Sequence, residues 1–537
     1  MHLLAFLISM LISIAIIPLM VRNAAALGMI DMPDPRKVHL APIPRVGGVG
    51  IVLGAMIPML LMLQIDATIA AFLLGAVVLF AFGIWDDVKE LGHYVKFIGQ
   101  FFAAVAVVYF GDLYVLQFPL LGEIPAWFGK PFSVIAIVGV INAINHSDGL
   151  DGLAGGESLL SLATLGYFFY LSESNLYLLI TLSTIGGIFG FLRFNSHPAR
   201  VFMGDGGSQF IGFTLAFLVL ALTQRTNPAI SPSIPLLIIG LPIIDILSVF
   251  YLRARAGKSW FRATRNHIHH RLLDFGFHHY AVVSIIYSIQ AALTGSAIVL
   301  AYEYDLLLLA LYLLICVLLF GIIMQAEKLK WHVDASSLRV LQLVPLFYRG
   351  FGGQFHRVSG LLLISAVPVL LLLSSTMVES IVETDVEEIS VALFLILLIA
   401  LRFEKQPAIA ICKVILFVAI ALVVYITEMH GYTLPWLQRI VEMYVFGVIF
   451  LLLPIRMRLE QQNFFLVSPL DYLVVLVVLL AGLINGYENN PYIIIAVKLA
   501  ILFYCAEWIL HAFPKVEKIL YYAAAFALFF MGGRLFV

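Results

Sequence analysis

The sequence predicts an all-α protein, a polytopic transmembrane helical bundle with about 11 helices in an N-terminal core and about 7 more in a C-terminal extension. Three observations carry that prediction. Of the 537 residues, 62% are hydrophobic and only 12% are charged, against roughly 25% charged in soluble chains. The apolar residues come in blocks of about 16–21, long enough to cross a ~30 Å hydrocarbon core, and most blocks do not confine their apolar residues to one face. Lys and Arg gather in every second loop, the bias that marks cytoplasmic loops.

In chain order the core spans lie near 3–21, 47–64, 69–85, 95–111, 132–144, 156–171, 176–192, 209–223, 233–252, 281–301 and 305–324. Ala24-Ala25-Ala26 after the first span could pass for a leader-cleavage site. Only His2 precedes the apolar stretch, however, while Arg22, Arg36 and Lys37 follow it, the charge order of a retained helix with its N-terminus outside. Span 132–144 is short, so the next loop is expected to begin within the membrane boundary. The extension follows with spans near 358–376, 388–403, 408–427, 438–455, 469–486, 491–511 and 517–533.

Starting outside, the inner loops are those holding Arg36, Lys37 and Arg45, then Arg253 to Arg271, then Lys328 to Arg357, and further pairs such as Arg456 with Arg458. The outer loops hold little beyond Lys130, Arg225 and Arg439, and one carries the acidic run Glu383 to Glu388. A missed span would invert this bias, and no inversion occurs. The chain therefore divides into a core over 1–325, a cytoplasmic linker over 326–357 and an extension over 358–537 whose loops carry no nameable constellation. A net charge of −1 gives no reason to expect a nucleic acid partner. Cys316, Cys412 and Cys505 all lie in apolar spans and suggest neither a disulfide framework nor a zinc site.

Five polar segments stand out, all on the predicted inner face. Arg36, Lys37 and His39 lead through Pro42 and Pro44 to Arg45 and the glycine pair Gly47-Gly48. Cations beside a stiffened turn, then a helix start whose amides point outward, suit an anionic ligand; the cations alone equally suit membrane anchoring. Asp86-Asp87 end a span, where adjacent carboxylates are costly unless paired, hydrated or bound to a cation. Asn142, Asn145, Asp148 and Asp151 sit in a glycine-rich run through Gly156, so the backbone is expected to aim both carboxylates at one point. Hard oxygen ligands of this kind suit Mg²⁺. Asn195 and His197 precede Phe202-Met203-Gly204-Asp205-Gly206-Gly207-Ser208, where the glycines are expected to leave amides open for phosphate and Ser208 to cap a helix. His267-Ile268-His269-His270-Arg271 lies in the most basic loop. It lacks Cys and the HExxH spacing of zinc sites, so phosphate contact is the better reading; His278 and His279 remain unassigned. Carboxylates for a divalent metal, cations for phosphates and histidines for charge handling together describe phosphoryl transfer, without a Walker-type nucleotide loop.

At these segments (31–48, 83–91, 142–156, 194–213 and 267–277) the chain resembles the polyprenyl-phosphate N-acetylhexosamine-1-phosphate transferase family. The NxxNxxDGxDGLAxG and FMGDxGS patterns carry most of that resemblance, which runs over about residues 1–325 in order and spacing. It implies a membrane enzyme that moves a sugar 1-phosphate from a UDP-N-acetylhexosamine to undecaprenyl (polyprenyl) phosphate at the bilayer surface, releasing UMP, with Mg²⁺ or Mn²⁺ as cofactor. The histidine loop and the Arg36-to-Arg45 opening resemble the GlcNAc-1-phosphate branch, which initiates envelope polysaccharides, rather than the phospho-MurNAc-pentapeptide branch. The resemblance further implies metal binding by Asp205 and Asp151, and handling of the lipid phosphate by Asp86 or Asp87. Asp148 would shape the metal and nucleotide site. Asn142, Asn145, Asn195 and Phe202 would contact uridine or phosphate; His269, His270 and Arg271 would steady the phosphates or sugar, with Lys37, His39 and Arg45 adding positive potential. A homodimer is compatible with this reading. A lipid transporter or non-catalytic scaffold is the alternative, but transporters place such carboxylates at mid-membrane on broken helices.

Overall fold

The structure is a computed structural model that describes residues 2–33, 41–89, 91–257, 266–333, 352–378, 384–403, 406–459 and 491–533. The described residues form two compact units, one up to residue 333 and one from residue 352.

In the first unit α1 (His2–Leu27) packs on α2 (Gly47–Met62) and α7 (Asn175–Asn195). Between them in sequence come α3 (Ala67–Lys89), α4 (His93–Val105), α5 (Ala126–Ser147) and α6 (Leu153–Leu171). The axis of the unit is α8 (Gly204–Ala221), in contact with α2, α3, α5, α6 and α7. Every residue of α8 from Gly206 to Ala221 is buried, as expected of a helix that is apolar all round. Such packing without loss of helix contact needs small residues at the crossings. A Cβ on Gly83 of α3 would lie 2.3 Å from the Cα of Gly206, and one on Gly48 of α2 only 2.4 Å from the amide nitrogen of Gly207. These glycines therefore set the distance between the helices that carry the polar motifs.

The unit is completed by α9 (Pro235–Ile238), α10 (Gly240–Arg255), α11 (Ile268–Asp274), α12 (His279–Val299) and α13 (Asp305–Lys328). Two short antiparallel pairs, Ile30–Asp31 with Ile43–Pro44 and Gln117–Phe118 with Gly122–Glu123, are the strands of the described residues.

Two spans differ from their sequence reading. The short span 132–144 belongs to the 22-residue α5, so the following loop does not start early. Lys130 had made its first turn look like loop, but its ammonium pairs with Asp112 at 2.9 Å and lies over the Tyr114 ring, keeping the charge at the helix end. Span 233–252 is broken at Ile239 into α9 and α10. The freed groups are satisfied from the side: Gln290 Nε2 and Ser161 Oγ donate to the Ile238 carbonyl, and Tyr312 donates to that of Gly240. Buried backbone in an apolar setting demands such partners, and hydropathy does not reveal them.

The second unit comprises α14 (Gly352–Met377), α15 (Thr384–Ala400), α16 (Gln406–His430), α17 (Pro435–Leu459), α18 (Pro491–Ala512) and α19 (Glu517–Gly532). Its core is aliphatic, and Lys498 is held between Glu428 and Glu442. The expected span 469–486 lies outside the described residues. Ten helices among the described residues are long and apolar enough to cross a membrane, with one further bent pair, α18 and α19, at 109°. The protein is an all-α, multi-pass membrane protein.

Candidate active site

The N-terminus of α1 lies beside the start of α7, where the His2 ring meets the Asn175 carbonyl, and successive helices between them run in opposite directions. Consequently the C-terminal ends of α3, α5 and α7 and the N-terminal ends of α8 and α12 all reach the same end of the first unit. There they surround a cavity of about 940 Å³. Asp86, Asp87, Asp148, Asp151, Phe202, Asp205 and His270 all line it, as do Arg45, Lys96, His197 and His279. Lys130 and Arg225, expected on the outer side, meet around Asp112 near the start of α5 and the end of α8, away from the cavity.

The acidic wall is built by two helices. Carboxylate oxygens of Asp86, Asp87 and Asp205 lie within 4.8 Å of one another. Asp87 sits at the end of α3 and accepts hydrogen bonds from the amides of Asp205 (2.9 Å) and Gly206 (3.2 Å), so it caps α8. An anionic cap suits the positive end of a helix. Gly204 has φ +72°, and a Cβ there would lie 2.6 Å from an Asp87 oxygen; both facts require glycine at this turn. Lys96 from α4 bridges the cluster, 2.7 Å from Asp86 and 2.8 Å from Asp205. Three carboxylates against one ammonium leave two negative charges if all are ionised.

A second cluster faces the cavity through Asp151. Its carboxylate accepts hydrogen bonds from His197 Nδ1 (2.6 Å) and the Ala199 amide (3.0 Å). His279 stacks on His197 with ring centroids 4.0 Å apart, and its Nε2 lies 3.1 Å from the Asp151 carbonyl. Burial pushes the Asp151 carboxyl up, but the His197 and Ala199 hydrogen bonds more than offset it and hold the group below the usual range. Asp148 has no such help. Burial first, then the Asp205 and Asp151 charges, push it up to about 7.

The histidine segment forms the third part. His267 Nδ1 meets Asp245 of α10 at 2.6 Å, and the Ile268 amide donates to the other Asp245 oxygen at 2.7 Å. The His269 ring lies directly over Gly149, where a Cβ would be 2.3 Å from Nε2. His270 reaches the cavity wall. Arg271 is buried and its Nε pairs with Glu327 at 2.7 Å.

Several expected roles look different in place. The amides of Gly47 and Gly48 do not face a ligand: they donate to the Phe202 and Met203 carbonyls. The Gly206 amide is taken by Asp87, and Ser208 is no cap but bonds back to the Gly204 carbonyl while accepting from Asn145. Asn195 is buried, with its oxygen on the Gly152 amide and its nitrogen on the Val201 carbonyl, so it clamps two loops together. Asn142 pairs with Gln100. Asp151 is grouped with two histidines, whereas Asp205 is grouped with Asp86 and Asp87. Arg45 pairs with Asp31 beside the cavity. Lys37 and His39 lie outside the described residues. Sequence reasoning missed Lys96 and Asp245, and it named His197 and His279 without giving either a role. Lys96 and Asp245 each left a trace, as a charge inside an apolar stretch.

The glycosyl transferase family 4 model matches residues 69–223, which contain Asp86, Asp87 and Asp205 and, of the second cluster, Asp151 and His197 but not His279. The chain is 34% identical over 300 residues to a protein of Bacillus subtilis (strain 168), covering 55% of this chain and 84% of the relative. The chain belongs to glycosyl transferase family 4. That relative is called a probable undecaprenyl-phosphate N-acetylglucosaminyl 1-phosphate transferase. Proteins of Escherichia coli O157:H7 (30% over 333 residues, 59% of this chain and 88% of the relative) and Haemophilus influenzae (34% over 262 residues, 47% and 73%) are called undecaprenyl-phosphate alpha-N-acetylglucosaminyl 1-phosphate transferases. This family 4 member is thus a phosphotransferase-type enzyme, and the three relatives match between 47% and 59% of its length.

Proposed function

We propose that the enzyme transfers GlcNAc-1-phosphate from UDP-GlcNAc to undecaprenyl phosphate, releasing UMP, with its cavity on the cytoplasmic side of the bacterial inner membrane. The observation that carries this reading is the cavity wall itself. Asp86, Asp87 and Asp205 converge there with Lys96, and His270 and the Asp151–His197 pair share the cavity. The printed names of the relatives supply the acceptor and the sugar, and the Lys/Arg bias of the loops supplies the orientation. A site at the membrane boundary is also where a lipid-borne phosphate and a soluble nucleotide can meet.

The donor set fits Mg²⁺. It is all carboxylate oxygen, the ligand type this hard ion takes alongside substrate phosphates, and with all three acids ionised the two charges that Lys96 leaves uncompensated match a divalent cation. Asp205 with Asp86 and Asp87 would hold the ion, which when bound neutralises charge on the diphosphate. Asp151 is assigned instead to orienting His197. The residues of the chain do the rest. Asp86 takes the proton of the lipid phosphate, which the Lys96 ammonium beside it positions, while Asp87 keeps α8 and its Asp205 in register. Lys96, His270 and Arg45 hold the anionic groups in line. A lipid phosphate oxygen bonds to the β-phosphorus, the bond from that phosphorus to the bridging oxygen breaks, and UMP leaves with the electron pair. The sugar C1–O bond is untouched, so the anomeric configuration is retained. The catalytic core is residues 1–325.

The test is purified full-length protein with UDP-GlcNAc, undecaprenyl phosphate and Mg²⁺, assayed for UMP and lipid-linked sugar. Product formation that EDTA abolishes and Mg²⁺ or Mn²⁺ restores is expected. A folded protein that yields neither product overturns the reading, and preferential turnover of another UDP-sugar in a panel overturns the assignment of GlcNAc.

A further inference from the structure

We infer that Asp245, a residue outside the cavity, is a positioning residue for the transfer: it fixes the proton of His267 on Nδ1 and so holds the His269–His270 face against the cavity. The inference rests on the transferase reading above. Asp245 is carried by α10, behind the histidine segment, and both it and His267 are buried, at 6% and 7% exposure. Its two oxygens are both used, one by His267 Nδ1 at 2.6 Å and the other by the Ile268 amide at 2.7 Å. A carboxylate accepts and does not donate, so this contact places a proton on Nδ1 and leaves Nε2 as the other face of the ring.

From there the arrangement passes through packed rings. His267 lies parallel to His269 (5.6 Å, 10°), edge-on to His270 (6.4 Å), and over His146 of α5 (5.4 Å). His269 and His270 are 4.2 Å apart. His269 rests on Gly149, between Asp148 and Asp151, and His270 meets the cavity. A carboxylate that orients one histidine therefore sets the placement of two more, one against the loop that bears Asp148 and Asp151 and one at the cavity wall. Aromatic rings alone would not do this, because stacked imidazoles slide and rotate unless one of them is fixed by a directional hydrogen bond.

Asp245→Asn separates positioning from scaffolding. The amide keeps an oxygen for the Ile268 N–H but offers an N–H where His267 now donates, so the favoured tautomer is reversed with almost no change in volume. Relative to wild type, turnover in the UMP assay is expected to fall roughly 10–100-fold, the range seen when an orienting carboxylate behind a functional histidine is lost. Detergent-solubilised Tm and monodispersity should stay close to wild type. The same substitution is then made in a His267→Ala background. If Asp245 acts through His267, it costs little further activity there. An equal loss in both backgrounds, or full activity of Asp245→Asn, overturns the proposal. If Asp245→Asn does not fold, Asp245→Ser carries the same cycle. Wild type is run alongside: absence of UMP there overturns the transferase reading itself, whereas an active wild type with an unaffected Asp245→Asn overturns only this inference.

Discussion

Substituting Gly83 by alanine should slow the enzyme on the order of 100-fold, although it adds one methyl group at a position outside the cavity lining. In a helix interior, Gly→Ala ordinarily gains about 1 kcal/mol. Here the new Cβ would stand 2.3 Å from the Gly206 Cα, 2.5 Å from its nitrogen and 2.9 Å from the Asp205 carbonyl carbon. Carbon atoms rest about 3.5–4.0 Å apart, so α3 and α8 must separate by roughly 1 Å or more at this level. All three close atoms are backbone, and no side chain can swing away. That separation would lengthen the bonds of 2.9 and 3.2 Å by which Asp87 caps α8, and would pull Asp205 from Asp86 and Lys96. Overpacking of this kind costs about 1–3 kcal/mol, and a misplacement near 1 Å in a catalytic constellation costs on the order of 100-fold in rate. Two measurements check this: Tm of the solubilised protein and UMP release per folded molecule. Gly139→Ala in α5, where nothing lies within 4 Å of the added Cβ, is the control and should leave both unchanged or raise Tm slightly. A Gly83→Ala protein with wild-type activity and an increased Tm would falsify the claim that these two helices set the geometry of the acidic wall.

Lys96→Met should lower Tm in the absence of divalent ions, since Asp86 and Asp205 lose their shared ammonium; removing one partner of a buried pair costs about 3–5 kcal/mol, and less here because Lys96 keeps 25% of its side chain exposed. Added Mg²⁺ should raise the Tm of this variant more than that of wild type, and equal shifts would remove Lys96 from the cluster's charge balance. Asp148 gives a pH signature. Its carboxyl is pushed up to about 7 in the folded chain by burial and the neighbouring acids, so the folded state keeps a proton that the unfolded state releases. Below about pH 4 both states are protonated and the group contributes nothing to folding. As pH rises towards 7 the unfolded state is increasingly favoured at this position, and above 7 the penalty levels off. Asp148→Asn should therefore gain in Tm over wild type progressively between about pH 4 and 7; a pH-independent difference would mean that Asp148 ionises normally.

Most of the fold was legible because membrane helices obey a length rule and a charge rule together. Sites where it misled were those at which a polar group belongs to a helix: Lys130 shortened α5 in the reading because its partner Asp112 is eighteen residues away in sequence. The break at Ile239 was invisible for a related reason, since the groups that satisfy it come from Ser161, Gln290 and Tyr312. Hydropathy reports whether a segment prefers lipid; it does not report which neighbour will satisfy a carbonyl.

The site was legible in membership and less so in role. Asp86, Asp87, Asp148, Asp151, Asp205 and His270 were all singled out and all line one cavity, because adjacent acids and clustered histidines are unusual at a membrane boundary whatever their partners. Their division of labour depends on contacts made across the fold. The spacing of Asp148 and Asp151 suggested one shared target, yet Asp151 is engaged by His197, forty-six residues on. The glycines of the Asp205 turn looked like open amides for phosphate. They prove to be the places where α2 and α3 press against α8. This exchange of meaning has a physical basis: an absent side chain permits close approach of either a ligand or another helix, and a single sequence does not distinguish the two. Here the second use makes the first unnecessary. Bringing α3 against α8 places Asp86, Asp87 and Asp205 together and ties the α8 amides to Asp87, so the anion-binding strength of that helix end is directed to a carboxylate of the chain. What α3 and α8 then turn to the cavity is acidic, and under the proposed function a divalent cation there would offset that charge when a diphosphate binds.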